Sequence, residues 1–230
     1  MATSNQTYSP IEFPPVHLAP KDGLLCFGGD LKPQTLINAY QNGIFPWFSE
    51  GEPILWWSPD PRLVLYPDEI HISKSLNKRI KRADFTVTMD RAFEDVIVAC
   101  SKIRGKRRRA TWLVDEMVYA YIELHKLGYA HSVESWHDGK LAGGLYGVSL
   151  GRIFFGESMF SFSTDASKVA LAALCLHLQS LDFDLIDCQA TSDHLISMGA
   201  REIARDSFLK TLKSSLQYSD ITGLWDFKGF

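Results

Sequence analysis

AHSVESWHDGKLAGGLYGVSLGRIFF, residues Ala130–Phe155, decides the fold. Ala130 to Trp136 reads as a strand that runs into Asp138-Gly139, a strong hairpin turn signal. Leu141 to Ser149 returns as a second strand, a turn follows at Gly151, and Arg152 to Phe155 begins a third. Downstream, a helix spans about Ala166 to Leu181, capped by Thr164 or Asp165. A strand follows at Leu185–Gln189, then short helices over Ser192–Met198 and Asp206–Leu216. Upstream, Pro33 and Gly43 bracket a helix that turns Leu36, Ile37 and Tyr40 inward. Ser73 caps a short basic helix with Leu76 and Ile80 on its apolar side. Phe85–Met89 alternates as a strand, and Asp90 caps a helix showing Phe93, Val96, Ile97 and Cys100. Another helix runs from Val114 to Leu127 and stops at Gly128. Helices, an antiparallel run of strands, a long helix and a further strand make an α+β fold with one central sheet.

The 230 residues suffice for one large domain or two smaller ones. Hydrophobic residues make up 46% and charged residues 22%, the proportions of a globular protein. No run reaches the roughly 18 apolar residues of a membrane span. MATSNQTYSP has neither the basic nor the apolar part of a secretory signal. Cys26, Cys100, Cys175 and Cys188 are far apart in apolar surroundings and read as reduced core thiols of a cytoplasmic protein. Cys188 and His194 are the one close Cys/His pair, and two ligands make a poor metal site, so no metal is expected.

Gly43–Arg62, GIFPWFSEGEPILWWSPDPR, holds Trp47, Trp56 and Trp57 with four prolines. Prolines fix φ and remove donors, so a stiff irregular path is expected here, neither helix nor central strand. Its rings suit a wall for stacking bases, or a small packed core. A domain boundary is placed near Pro61, dividing 1–61 from 62–230.

The net charge of −3 hides an asymmetry. From Lys74 to Arg109 there are 12 Lys/Arg against 4 Asp/Glu. Two clusters carry them, Lys74-Lys78-Arg79-Lys81-Arg82 and Lys102-Arg104-Lys106-Arg107-Arg108-Arg109. This concentration fits a local phosphate-binding surface, whereas one cluster alone would fit a solvated face equally well.

Phe154-Phe155-Gly156-Glu157-Ser158-Met159-Phe160 places a carboxylate and a hydroxyl among apolar residues at a strand end. Gly156 suggests a bulge or a close backbone approach. A carboxylate so placed is either paired or functional. On Leu185–Gln189, alternation puts Asp187 and Gln189 on one face and Ile186 and Cys188 on the other. Asp187 and Gln189 side by side suit accepting a proton and orienting a substrate, or form a structural polar network. A triad of Ser158, His131 and Asp187 can be drawn, but no nucleophile elbow supports it. Gly143-Gly144-Leu145-Tyr146-Gly147 matches no phosphate loop and instead lets a backbone or ligand approach the sheet.

GGDL (Gly28–Leu31), AYQNGIFPWF (Ala39–Phe48), PILWWSPDPR (Pro53–Arg62), TW (Thr111–Trp112), ELHKLGYAHSVE (Glu123–Glu134), FGESMFS (Phe155–Ser161) and LIDCQ with SMGA (Leu185–Ala200) stand in family order. With these strings the chain resembles the leucyl/phenylalanyl-tRNA–protein transferases across most of residues 23–216. The resemblance implies a small N-terminal α/β domain and a larger C-terminal domain like the N-acetyltransferase (GNAT) fold. It implies transfer of Leu or Phe, also Met, from aminoacyl-tRNA to acceptor proteins with N-terminal Arg or Lys, making a degradation signal. It implies Asp187 and Gln189 as the catalytic pair with Glu157 close by. Leu145, Phe155, Met159 and Ile186 would line the side-chain pocket, and Trp47 and Trp112 would hold the terminal adenosine and aminoacyl group. Lys74, Lys78, Arg79, Lys81 and Arg82 would meet the acceptor stem. No cofactor is implied.

An aminoacyl ester is already activated, so its aminolysis needs positioning, a proton route and support for the oxyanion. Whether Asp187 is the base or only orients the amine stays open at this point. Leu145 stands where Met is common in the family, the run Lys102–Ala110 is unusually basic, and the tail after Ser219 has no match. The rival readings are an acyl-CoA-dependent N-acetyltransferase and a non-catalytic tRNA-binding module. The region FGESMFSFSTDASK lacks the pyrophosphate loop of the first, and the second leaves Asp187, Gln189 and Glu157 without purpose.

Overall fold

A computed structural model describes residues 11–105 and 114–230, with residues 103–105 described by backbone only. A small antiparallel sheet is made of β1 (Leu24–Phe27), β2 (Phe45–Pro46) and β3 (Leu55–Trp57), in the order β1-β3-β2. Leu55–Trp57 is thus a central strand inside the proline-rich segment, against the expectation. The segment's prolines fall outside these three residues, so each keeps its N–H for the ladder. Helix α1 (Pro33–Gln41) joins β1 to β2 with Pro33 at its first turn, where no donor is needed.

The large sheet has seven strands: β4 (Arg62–Leu65), β5 (Thr86–Met89), β6 (Ala130–His137), β7 (Lys140–Leu150), β8 (Ile153–Ser161), β9 (Leu185–Gln189) and β10 (Arg201–Ile203). Their order is β10-β4-β9-β8-β7-β6-β5, with β8 and β9 parallel and the other neighbours antiparallel. The β6–β7 turn has positive φ at both Asp138 (50°) and Gly139 (71°), the hairpin geometry that the dipeptide favours. Among the described residues the further α-helices are α2 (Lys74–Lys81), α3 (Phe93–Gly105), α4 (Asp115–Lys126), α5 (Ala166–Ser180), α6 (Asp193–Ile196) and α7 (Arg205–Ser215). The fold is α+β.

Two apolar layers cover the sheet. On one face α5 packs on Val133, Leu145, Phe154 and Ile186. On the other, α1, α3, α4 and α7 pack on Tyr146, Val148 and Phe155. Ten of the fifteen residues of α5 are buried, and its alanines allow a close approach to the sheet. A Cβ on Gly143 would lie 2.6 Å from the Ala166 Cβ, so β7 needs a glycine where α5 begins. Ser73 caps α2 through its hydroxyl, which accepts the Leu76 N–H at 3.2 Å. Asp165 stands at the start of α5, but its carboxylate pairs with Arg79 and Lys168 instead of capping.

Asp90 is not the cap of α3. It has φ of 55°, and its buried carboxylate accepts from the Ser132 N–H (2.8 Å) and the Trp225 N–H (2.7 Å) and meets His131 Nδ1 (2.8 Å). The reason is the tail: Trp225 stacks on His131 at 3.8 Å and buries itself against Phe154 and Phe183. The tail that matched nothing in sequence therefore supports the back of the sheet beneath α5. Among the described residues, no helix is long and apolar enough to cross a membrane, and no three His, Cys, Asp or Glu come together as a metal site.

Candidate active site

The parallel pairing of β8 with β9 ends at Phe155↔Asp187, while β8 continues to Ser161 along β7. Beyond that point the two strands part and a cavity of about 570 Å³ opens between them. Its walls include Leu145, Phe154, Met159, Leu171, Leu174 and Ile186 on the apolar side. Glu157, Ser158, Gln189, Thr191 and His194 are polar members of the same lining, and Trp47 borders it from the small sheet.

The pairing of β7 with β8 slips here. Tyr146 faces Ser158 and Gly147 faces Gly156, so Glu157 is an extra residue on β8. This is a bulge, and a bulge re-aims side chains near it. A Cβ on Gly147 would lie 2.2 Å from the Phe155 carbonyl, so glycine is required beside the bulge. The bulge sends Glu157 toward α1 and α4. Its Oε1 accepts from the Tyr40 hydroxyl (2.6 Å) and the Gln189 amide (2.6 Å), and its Oε2 accepts from the Tyr121 hydroxyl (2.8 Å). Burial pushes the Glu157 carboxyl up to about 7, against these three donors, which hold it down. It is therefore a carboxylate poised to exchange a proton near neutral pH, in a mostly apolar cavity.

Asp187 sits differently. Its side chain and that of Arg62 are both 0% exposed and form a two-pronged pair, Nε–Oδ1 at 2.8 Å and Nη2–Oδ2 at 2.6 Å. The Arg62 guanidinium lies between the rings of Phe45 (4.8 Å) and Phe208 (4.6 Å). Asp187 is not part of the cavity wall. Its Oδ1 accepts the Gln189 backbone N–H at 2.9 Å, where Gln189 has a left-handed φ of 64°. A non-glycine residue there is strained unless its surroundings hold it. The expected pair thus stands in one chain of contacts: Arg62 pairs with Asp187, Asp187 accepts the N–H at the Gln189 kink, and the Gln189 amide reaches Glu157.

Other expectations sort as follows. Leu145, Met159 and Ile186 line the cavity, but Phe155 does not. Phe155 is on the opposite face, 4.9 Å from the Tyr40 ring, and its neighbour Phe154 lines the wall together with Phe45 and Phe160. Alternation along β8 before the bulge forces that exchange. Trp47 is 43% exposed, while Trp56 is buried and donates to the Gly28 carbonyl at 2.8 Å. Trp57 donates to the Trp47 carbonyl at 2.6 Å and so steadies the exposed ring. Trp112 and the basic positions 106–109 lie outside the described residues. On α2, Lys74, Lys78 and Lys81 are exposed. Arg79 pairs with Asp84 and Asp165, and Arg82 with Asp84. The imagined triad does not assemble, because His131 is held by Asp90 and Trp225, and Asp187 by Arg62. Sequence reasoning missed Arg62, Tyr40 and Tyr121 as members of the site. For Arg62 and Tyr40 the visible signal was a place inside matching strings, PDPR and AYQNG; Tyr121 lies in none of them.

Two family profiles match the chain: "Leucyl/phenylalanyl-tRNA protein transferase" over residues 64–213, and the N-terminal domain of the same family over residues 29–60. A leucyl/phenylalanyl-tRNA–protein transferase of Desulforapulum autotrophicum is 60% identical over 95% of either chain. One of Syntrophobacter fumaroxidans is 59% identical over 89% of this chain and 87% of its own. Among solved structures, a metagenomic aminoglycoside acetyltransferase superposes with a TM-score of 0.39 at 12% identity, over 57% of this chain and 89% of its own. That likeness is too slight to argue from. The class is therefore that of enzymes that transfer aminoacyl groups. The chain belongs to the leucyl/phenylalanyl-tRNA–protein transferase family.

Proposed function

We propose that this chain transfers leucine or phenylalanine from aminoacyl-tRNA to the N-terminal amine of proteins that begin with Arg or Lys. The observation that carries the reading is Glu157: a carboxylate with its pKa raised to about 7, bordering a largely apolar cavity. Leu145, Met159, Phe154 and Ile186 accept the aminoacyl side chain, and Trp47 stacks on the terminal adenosine. The acceptor ammonium first gives one proton to solvent. The neutral amine then attacks the ester carbonyl, forming the C–N bond. Glu157 takes the second amine proton and returns it to the ribose oxygen as the C–O bond breaks. Nothing in this sequence needs a covalent enzyme intermediate, since the ester supplies the activation. Gln189 orients Glu157, and Asp187 acts by positioning Gln189 rather than by exchanging protons itself.

The exposed Lys74, Lys78 and Lys81 of α2 meet tRNA phosphates, with Arg79 and Arg82 partly neutralised by their acidic partners. Trp112 is assigned to the aminoacyl end on the resemblance alone. We divide the chain into a small domain, 1–61, and a catalytic domain, 62–230, because the small sheet ends at Trp57 and the large one begins at Arg62. The free thiols of the four cysteines support a reducing, cytoplasmic setting. The test is direct: incubate the protein with radiolabelled Leu-tRNA and a peptide starting with Arg. Labelled peptide is expected. Intact Leu-tRNA, with turnover of acetyl-CoA instead, would refute the reading.

A further inference from the structure

One polar group in the cavity has no work in the scheme above. Ser158 follows Glu157 on β8 and lines the same cavity. It is 8% exposed, and its hydroxyl is buried with no hydrogen-bond partner. The donors that reach Glu157 are engaged. Glu157 accepts from Tyr40, Tyr121 and Gln189, and the two tyrosine hydroxyls also meet each other at 2.6 Å. A buried hydroxyl without a partner costs stability, and a fold that keeps one calls for an explanation.

The bulge supplies the geometry. Gly156 to Ser161 all border the cavity, and the extra residue at Glu157 sets Ser158 opposite Tyr146. Aminolysis of an ester develops negative charge on the carbonyl oxygen, and the transition state needs a donor aimed at it. Glu157 is an acceptor, and the Tyr40, Tyr121 and Gln189 donors named above are directed at Glu157. The Ser158 hydroxyl is a buried donor on the cavity lining that no hydrogen bond occupies. We propose that Ser158 is a catalytic residue whose Oγ–H donates to the ester carbonyl oxygen as it becomes an oxyanion. The inference rests on the transferase reading. Ser158 forms no covalent bond and keeps its proton. As the amine nitrogen bonds to the carbonyl carbon, the oxygen gains the electron pair, and the pair returns when the ribose oxygen departs.

The same reasoning separates function from stability. Removing an unpaired buried hydroxyl leaves no partner orphaned, so Ser158→Ala should melt at the wild-type temperature or higher. Its rate of transfer from Leu-tRNA to an Arg peptide, with both saturating, should fall about 10²- to 10³-fold, the loss typical for one oxyanion donor. Its affinity for Leu-tRNA should stay within about twofold, because the donor acts on the transition state. A rate within about threefold of wild type overturns the proposal. So does a loss of rate accompanied by a lower melting temperature and an equal loss of tRNA affinity, which marks a structural residue. If Ser158→Ala does not fold, Ser158→Cys gives the same decision through its weaker S–H donor. Transfer slowed about tenfold or more upholds the role, and an unchanged rate overturns it. Wild-type protein that binds Leu-tRNA but transfers nothing would sink the transferase reading itself, an outcome distinct from an active wild type with an equally active Ser158→Ala.

Discussion

Replacing Asp187 by alanine should destabilise the whole molecule, not only silence a reaction. The Arg62 guanidinium would then be left at 0% exposure between Phe45 and Phe208 with no counter-charge. Two charge-assisted hydrogen bonds of 2.8 and 2.6 Å would go, together with the 2.9 Å bond that holds the Gln189 N–H. Removing one partner of a buried ion pair costs roughly 3–5 kcal/mol. In a chain of this size each kcal/mol moves the melting temperature by about 2–4 °C, so a drop on the order of 6–20 °C is expected. Thermal unfolding followed by circular dichroism measures it. The double variant Arg62→Met with Asp187→Leu removes both charges and should recover most of the loss. Transfer should remain impaired in the double variant, because nothing then fixes the left-handed turn at Gln189. An Asp187→Ala protein that melts within about 2 °C of wild type yet transfers no leucine would refute this reasoning. It would return Asp187 to the chemistry itself.

Trp47→Ala should raise the KM for aminoacyl-tRNA about 5- to 150-fold, the range for loss of one base stack, at an unchanged melting temperature; a lowered melting temperature with unchanged KM would make Trp47 a packing residue. Trp225→Ala should cost roughly 3–5 kcal/mol in a denaturant titration, since its ring is buried against His131, Phe154 and Phe183. Burial, and then the neighbouring His131, lower the His177 pKa. The folded protein thus binds fewer protons there than the unfolded chain. The stability this group confers is present above about pH 6.5 and is lost as pH falls through the lowered folded value. Proteolysis of the tail should accordingly quicken in mild acid. Neutralising Lys74, Lys78 and Lys81 together should reduce the salt slope of tRNA affinity by about one unit per lost phosphate contact, and an unchanged slope would take α2 out of the interface.

How much of this was legible in the sequence depends on the range of each interaction. The Asp138-Gly139 hairpin, the Ser73 cap and the strand Leu185–Gln189 are local, and their residues announce them. Gly156 suggested a bulge or a close backbone approach, and the bulge is what the strand carries. Alternation before the bulge puts Phe154 on the face of Ile186 and Phe155 on the other, and that is why Phe154 rather than Phe155 borders the cavity. Arg62 and Asp187 are 125 positions apart, and Tyr40 and Glu157 are 117 apart. No periodicity joins such pairs. Tyr40 read as an inward helix residue, which it is, but its hydroxyl serves a carboxylate from the far side of the chain. Asp90 looked like a cap because its partners, His131 and Trp225, come from a strand and from a tail that carried no signal of its own.

The central claim is that Glu157 handles the proton of the attacking amine, and a pH–rate profile tests it most directly. Single-turnover transfer from radiolabelled Leu-tRNA to a saturating Arg peptide should be followed from about pH 5.5 to 8.5. The wild-type rate should climb with pH and bend near 7, where the Glu157 carboxyl loses its proton. Glu157→Gln should be slower by about 10²- to 10⁴-fold and should lose that limb, keeping only the titration of the peptide amine near 7.7–8.0. A Glu157→Gln protein with the wild-type profile and a rate within a few-fold of wild type would contradict the account.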